Sequence, residues 1–229
     1  MNNEPTTQLQ IIPTADGSNT IYNPQVGESY HSKNGALQES RHVFVDSGLL
    51  HFLTLSDANE VAILEVGFGT GLNFLLTADT CTTGEIKLDY TGIEAYPLST
   101  EMVAATGYDK YCTPETWDSF TVHYEQLLKG PVQLNKFCRL ETVHSKLSDF
   151  QSAKQYDVIY FDAFAVAYQP EMWDTEAITH TLQFLKPGGV FVTYAITGNL
   201  KRIIKGLGLK VEKAPGAAGK REMLRALKL

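Results

Sequence analysis

Cysteine is scarce in this chain. Its 229 residues hold three, Cys81, Cys112 and Cys138. They are odd in number, far apart and without metal-ligand spacing, which excludes a disulfide framework and a thiolate metal site and fits reduced thiols in cytoplasm. Six histidines form no H-x-x-x-H pair, so no metal is expected. No apolar run approaches a membrane span. The start, Met1-Asn2-Asn3-Glu4-Pro5, lacks the basic residues and apolar stretch of a signal peptide. These absences predict a cytoplasmic protein with no membrane or metal partner. Repeats, low-complexity tracts and clear linkers are also missing. One domain over 1–229 is therefore expected, with a hairpin/helix extension at 1–55 and a Rossmann-like core at 56–229.

What is present is an ordinary globular mixture, 43% hydrophobic and 20% charged, able to bury a core. The net charge of −7 speaks against a nucleic-acid binder, but its distribution does not. From Lys201 to Leu229 nine bases face two acids, a net +7, while the preceding residues carry ten bases and 24 acids, a net −14. A basic end on an acidic body can face phosphate, or it can be a solvated face that balances the bulk.

Apolar runs punctuated by turn residues predict alternating strands and helices. Two short strands from Thr7 to Tyr22 flank Ala15-Asp16-Gly17-Ser18, and a helix over 38–55 is open to splitting at Gly48. Strands follow at 61–66, 86–93, 137–143, 156–161 and 190–195. Helices fall between them, one of them ended sharply by Lys186-Pro187-Gly188-Gly189. A closing antiparallel pair, 209–213 and 222–229, flanks a Gly/Ala/Pro turn. The pattern is an α/β fold with a mostly parallel sheet covered on both faces. Such sheets bind ligands outside the carboxyl ends of their strands, where Gly67, Glu94, Ser145 and Asp162 all fall.

The densest motif is Ile63-Leu64-Glu65-Val66-Gly67-Phe68-Gly69-Thr70-Gly71-Leu72-Asn73-Phe74: an apolar strand, an acid, three alternate glycines and a helix start. No lysine follows, which excludes a Walker loop, and the spacing is not the dinucleotide G-x-G-x-x-G. Glycine lets the backbone turn sharply and a ligand come close, and the helix start offers free N–H groups. A plain tight strand–helix turn has the same look; the strand acid favours a cationic, adenosine-containing ligand. Glu94 suits ribose hydroxyls, or a solvated turn. Glu65 needs a partner for its buried charge, a ligand cation or a local amide. Asp162 ends an aromatic strand, where burial or a neighbouring cation sets its proton affinity; it suits proton handling, or a helix cap near Pro170. Phe164, Tyr168 and Tyr194 suit stacking or plain packing.

Taken together, Glu65 to Phe74, Asp162-Ala163-Phe164-Ala165, Pro170-Glu171-Met172-Trp173, Tyr30-His31-Ser32 with Gly35 to Phe44, and Gly219 to Leu224 resemble the bacterial MnmC/MnmD methyltransferases over about residues 25 to 225. The resemblance implies the class I methyltransferase fold, seven strands with the last antiparallel, and S-adenosyl-L-methionine as cofactor. It implies a cofactor site of Glu65, Gly67, Phe68, Gly69, Thr70, Gly71, Asn73, Glu94, Ser145 and Asp162. It also implies methylation of the aminomethyl group on a tRNA wobble uridine, with Asp162 binding the amine and assisting loss of its proton. Phe164, Tyr168, Lys220 and Arg221 would hold the anticodon loop. A monomer is expected, without the oxidase domain of bifunctional members, so that other enzymes supply the aminomethyl uridine. In place of the Gly-Asp often found at the adenine contact stand Ser145 and Lys146, which leaves the adenine amino group to a backbone carbonyl or Asp149. The alternatives are a methyltransferase for a small-molecule amine, a non-catalytic binding protein on this fold, and, more distantly, a nicotinamide dehydrogenase.

Overall fold

The structure is a computed structural model that describes residues 8–217 and 219–229. Thr7, where the first strand is expected to begin, lies outside the described residues, as does Ala218 in the final turn. The strands β1 (Gln10–Pro13) and β2 (Asn19–Asn23) pair antiparallel as the hairpin pattern predicts, and β3 (Glu28–Ser29) adds a third strand. The turn is held by Asp16, whose Oδ1 accepts from the hydroxyls of Thr14 and Ser18.

A continuous helical stretch follows: α1 (Ala36–Glu39), a π-helical segment Ser40–Leu50, and α2 (His51–Leu55). Gly48 does not split it. A Cβ there would lie 2.8 Å from the Tyr160 ring and 3.0 Å from Val192, so the glycine lets the helix seat on the sheet.

The core runs β4 (Glu60–Val66), α3 (Leu72–Thr83), β5 (Lys87–Glu94), α4 (Thr100–Ala104), α5 (Pro114–Leu127), β6 (Val132–Gln133), β7 (Cys138–His144), β8 (Tyr156–Phe161), α6 (Thr175–Leu182), β9 (Leu185–Thr193), α7 (Gly198–Gly206), β10 (Leu209–Pro215) and β11 (Glu222–Lys228). The sheet order is β10-β11-β9-β8-β4-β5-β7-β6. The strands β7, β5, β4, β8 and β9 are parallel, and β11 is antiparallel to both neighbours. Eight strands stand where seven are expected; the addition is the two-residue β6, too short to leave an apolar period. The helix before Lys186-Pro187-Gly188-Gly189 already ends at Leu182, and this quartet lies inside β9 at a break in its register with β8.

Alternation along β8 divides the core. Val158 and Tyr160 join one apolar layer with Phe44, Phe74 and Tyr90, while Ile159 and Phe161 join the other with Trp173, Ile178 and Phe191. Burial on both faces explains why these parallel strands read as unbroken apolar runs.

Candidate active site

The carboxyl ends of β4, β5, β7 and β8 open into one cavity of about 1120 Å³. Gly67, Glu94, Ser145 and Asp162, each at the end of a different strand, all line it. The parallel topology therefore assembles four positions that the sequence spreads over almost a hundred residues.

The glycine turn is held from below. The amides of Gly67 and Phe68 both donate to the Ile93 carbonyl, and the Gly69 amide donates to Glu94 Oε2 at 2.8 Å. All three glycines have positive φ, +87°, +52° and +78° at 67, 69 and 71, a region that disfavours any side chain. What they make room for is protein. A Cβ on Gly67 would meet the Asp162 carbonyl at 2.5 Å, on Gly69 the Tyr30 ring at 2.9 Å, and on Gly71 the Phe120 ring at 2.8 Å. Gly71 precedes α3 and is off the cavity wall, whereas Phe68, Gly69, Thr70 and Asn73 line it.

Glu65 is fully buried below the wall rather than on it. Its partners are protein groups: Asn73 Nδ2 donates to Oε1 at 2.7 Å and the Tyr90 hydroxyl to Oε2 at 2.8 Å. Burial, then the Asp162 charge, raises its pKa well above the usual carboxylate range. Asn73 Nδ2 also donates to Asp162 Oδ2 at 2.8 Å. One amide thus joins two carboxyls, and its Oδ1 is buried without a partner among the described residues. Burial chiefly, aided by Glu39, pushes Asp162 up to about 8; Asn73 and Lys220 pull the other way. Asp162 caps no helix, because α6 is capped by Asp174, which accepts from the Ala177 amide.

The N-terminal segment supplies wall that residue chemistry alone does not reveal. Tyr30 stacks edge-on against Phe164 at 5.1 Å. His31 meets Thr20 through Nδ1 and Thr70 through Nε2 at 3.4 Å. Burial pushes its pKa down to about 4, so it is neutral. The Tyr30-His31-Ser32 string marks the place, but nothing in its spacing ties it to a glycine turn 40 residues on.

Phe164 lines the cavity. Tyr168 does not: it is half exposed and its ring lies over Gly27. Lys220, expected on phosphate, turns inward, where its ammonium pairs with Glu39 Oε2 at 2.5 Å and sits 4.0 Å from the Tyr194 ring centroid. Arg221 is exposed and, with Lys220, lines a separate groove of about 490 Å³. Asp149 is exposed beside Ser148, off the main cavity wall, so the polar side chains that this stretch puts on the wall are Ser145, Lys146 and Ser148.

Residues 121–229 match a family described as S-adenosyl-L-methionine-dependent methyltransferase. The protein of Leptospira interrogans serovar copenhageni named tRNA 5-methylaminomethyl-2-thiouridine biosynthesis bifunctional protein MnmC is 30% identical over 218 residues, 90% of this chain and 33% of that protein. Its namesake from Pseudomonas savastanoi pv. phaseolicola is 32% identical over 213 residues, 86% of this chain and 31% of that protein. The crystal structure of MnmC2 from Aquifex aeolicus superposes with a TM-score of 0.78 at 21% identity, over 98% of this chain and 72% of that one. The chain is thus similar to MnmC proteins over most of its length, and its second half matches the methyltransferase family. It spans about a third of the length of these curated relatives. Its fold is that of the class I S-adenosyl-L-methionine-dependent methyltransferases.

The domain's cavity fits that cofactor. Each oxygen of Glu94 accepts one backbone amide, from Gly69 and from Tyr96, and keeps a lone pair for a ribose hydroxyl. Ile93, Leu98, Met102 and Leu147 offer apolar walls for a flat base. The unpartnered Asn73 Oδ1 offers an acceptor to an ammonium. Among the described residues no group of three or more His, Cys, Asp or Glu side chains could hold a metal ion, and no helix is long and apolar enough to cross a membrane.

Proposed function

We propose that this domain transfers a methyl group from S-adenosyl-L-methionine to the primary amine of an aminomethyl group on the wobble uridine of tRNA. The observation that carries the reading is Asp162: a part-buried carboxyl on the cofactor cavity, held by Asn73, with a proton affinity raised toward that of an alkyl amine. The names of the relatives, which refer to tRNA 5-methylaminomethyl-2-thiouridine biosynthesis, support the substrate. The residues to hold the cofactor are Glu94 and Ser145 on the nucleoside side, and Gly67, Phe68, Gly69, Thr70, Asn73 and Asp162 on the amino-acid side. Glu65 and Gly71 act from beneath, by fixing Asn73 and the turn.

The bound cofactor supplies an electrophilic methyl group on a sulfonium. Everything else falls to the chain. A primary alkyl amine has a pKa near that of lysine, ~10, and arrives protonated. Ionised Asp162 attracts the ammonium and takes one of its protons; a carboxyl at about 8 makes this transfer far less uphill than an ordinary carboxylate would. With the cofactor bound, the freed lone pair would accept the methyl group while the sulfur keeps the C–S electron pair, and the second proton would pass from the methylated nitrogen to water. Tyr30 and Phe164 wall the approach and limit water. An unstacked anticodon base suits such a cavity, since RNA is read most readily at splayed loop bases. The N-terminal segment and the core act as one unit in this reading, because Tyr30 and His31 complete the cavity. The setting is cytoplasmic, the chain works as a monomer, and other enzymes build the aminomethyl group.

Glu171, Asp174 and Glu176 border the same cavity and would repel phosphate, which favours the second reading, a small-molecule amine acceptor. Incubation with methyl-labelled cofactor and tRNA lacking the terminal methyl group, followed by nucleoside analysis, decides between them. Label in 5-methylaminomethyl-uridine is expected. Label appearing only in added alkyl amines would replace the tRNA assignment with the small-molecule one.

A further inference from the structure

We propose that Lys220, clamped between Glu39 and the Tyr194 ring, is a positioning residue that sets the charge state of Asp162 rather than a phosphate ligand. The inference deepens the methyl-transfer reading and rests on it for the role of Asp162. Its geometry stands independently.

The Lys220 ammonium is held from two sides, by Glu39 Oε2 and by the face of Tyr194. The Glu39 carboxylate is itself fixed, since its Oε1 accepts from the Ser32 amide at 3.0 Å, and its side chain is only 7% exposed. The Tyr194 hydroxyl donates to the carbonyl of Ala163, the neighbour of Asp162. Glu28 completes the ring by accepting from the Ala165 amide at 2.8 Å. Glu39 pairs with this cation directly, Glu28 and Asp162 also feel its charge, and the loop between β10 and β11 delivers it. A phosphate that drew the Lys220 ammonium away from Glu39 would leave that buried carboxylate unpaired.

The titratable groups that act on Asp162 come from the elements around it: Glu28 in β3, Glu39 in α1, Glu65 in β4, Tyr90 in β5, Tyr194 after β9, and Lys220. Of these Lys220 alone is cationic. Opposite charge favours ionised Asp162 and like charge opposes it, so Lys220 and Glu39 push in opposite directions. With Lys220 present, Asp162 can give up its proton near neutral pH and accept one from the acceptor ammonium. Without it, the surrounding acids hold that proton on.

The test reads Asp162 directly. Carboxyl-¹³C aspartate labelling, with the resonance assigned by Asp162→Asn, gives the titration midpoint of the full chain without any tRNA. Lys220→Met is expected to move the midpoint up, and Glu39→Gln to move it down, each by about half a pH unit or more. Lys220→Arg should restore the starting value. Should Lys220→Met alone fail to fold, the Lys220→Met, Glu39→Gln double variant has no unpaired buried carboxylate, and its midpoint must lie above that of Glu39→Gln alone. Midpoints that stay put, or that move the same way in both single variants, overturn the proposal. Because this readout needs no substrate, it stands or fails separately from tRNA methylation. A second arm measures tRNA affinity against salt. An unchanged slope in Lys220→Met is expected, and a slope reduced by about one places Lys220 on a phosphate and overturns the proposal.

Discussion

At Asp162, a raised proton affinity and the proposed part in methyl transfer fall on one side chain. Its folded pKa of about 8 lies above the unfolded value of 3.8. The stability that goes with the bound proton is complete below pH 4 and is lost as pH rises through about 8. Asp162→Asn removes that loss, so its melting temperature relative to the parent should be higher at pH 9 than at pH 5, as followed by circular dichroism. The same variant should lose methyl transfer about a hundredfold at saturating cofactor; near-parental turnover would take Asp162 out of the chemistry. Glu65 answers differently. Glu65→Ala strands two buried donors, the Asn73 amide and the Tyr90 hydroxyl, and should lower stability by about 3 kcal/mol in urea titration. Glu65→Gln keeps the shape and one acceptor and should lose about 1 kcal/mol. Which of these acids lines the cavity was not legible from residue type. Both sit at strand ends in apolar surroundings, and only the tertiary contacts show Glu65 satisfied by protein while Asp162 faces the cavity.

The strands and helices were largely legible from periodicity, because each buries a face of definite repeat. β4, β5, β7, β8 and β9 stand within a few residues of the apolar runs that mark them. The misreadings cluster at glycines. Gly48 looks like a helix break and is a seat for the Tyr160 ring, and the Lys186-Pro187-Gly188-Gly189 stop belongs to a bulged strand. A glycine licenses a turn and a close approach equally, and local sequence does not say which. Gly67 shows the consequence. A Cβ there clashes with the Asp162 backbone at a φ of +87°, so Gly67→Ala should both destabilise the fold by about 2 kcal/mol or more and displace the strand end that carries Asp162. Calorimetry with S-adenosylhomocysteine should show at least tenfold weaker binding, and parental affinity would mean that the β4–β8 contact does not govern the site.

Across the whole molecule, charge looks different once paired. Of the nine bases in the last 29 residues, Lys210 and Arg225 pair with Glu212, Lys213 with Glu222 and Lys220 with Glu39, while Lys228 donates to the carbonyls of Leu182 and Leu185. Of the other four, Lys201 is half-buried and Arg202, Lys205 and Arg221 are exposed. Replacing these three with Gln should weaken tRNA binding and flatten its salt dependence by about two to three contacts, whereas Arg225→Gln should leave the slope unchanged. Equal effects from both would show that position within the basic segment is irrelevant.

The chain's own order of residues settled the α/β alternation, the glycine turn, the acids that close the second and fourth core strands, and the clustering of bases at the end. Those are properties of neighbours along the chain, where side-chain period and backbone freedom act over a few residues. Tertiary structure alone decided that Tyr30 and His31 complete the cavity wall, that Asn73 bridges Glu65 to Asp162, and that Lys220 turns inward to Glu39. Desolvation and Coulomb interaction act through space, and the groups that set Asp162's proton affinity lie as far as 134 residues from it in sequence.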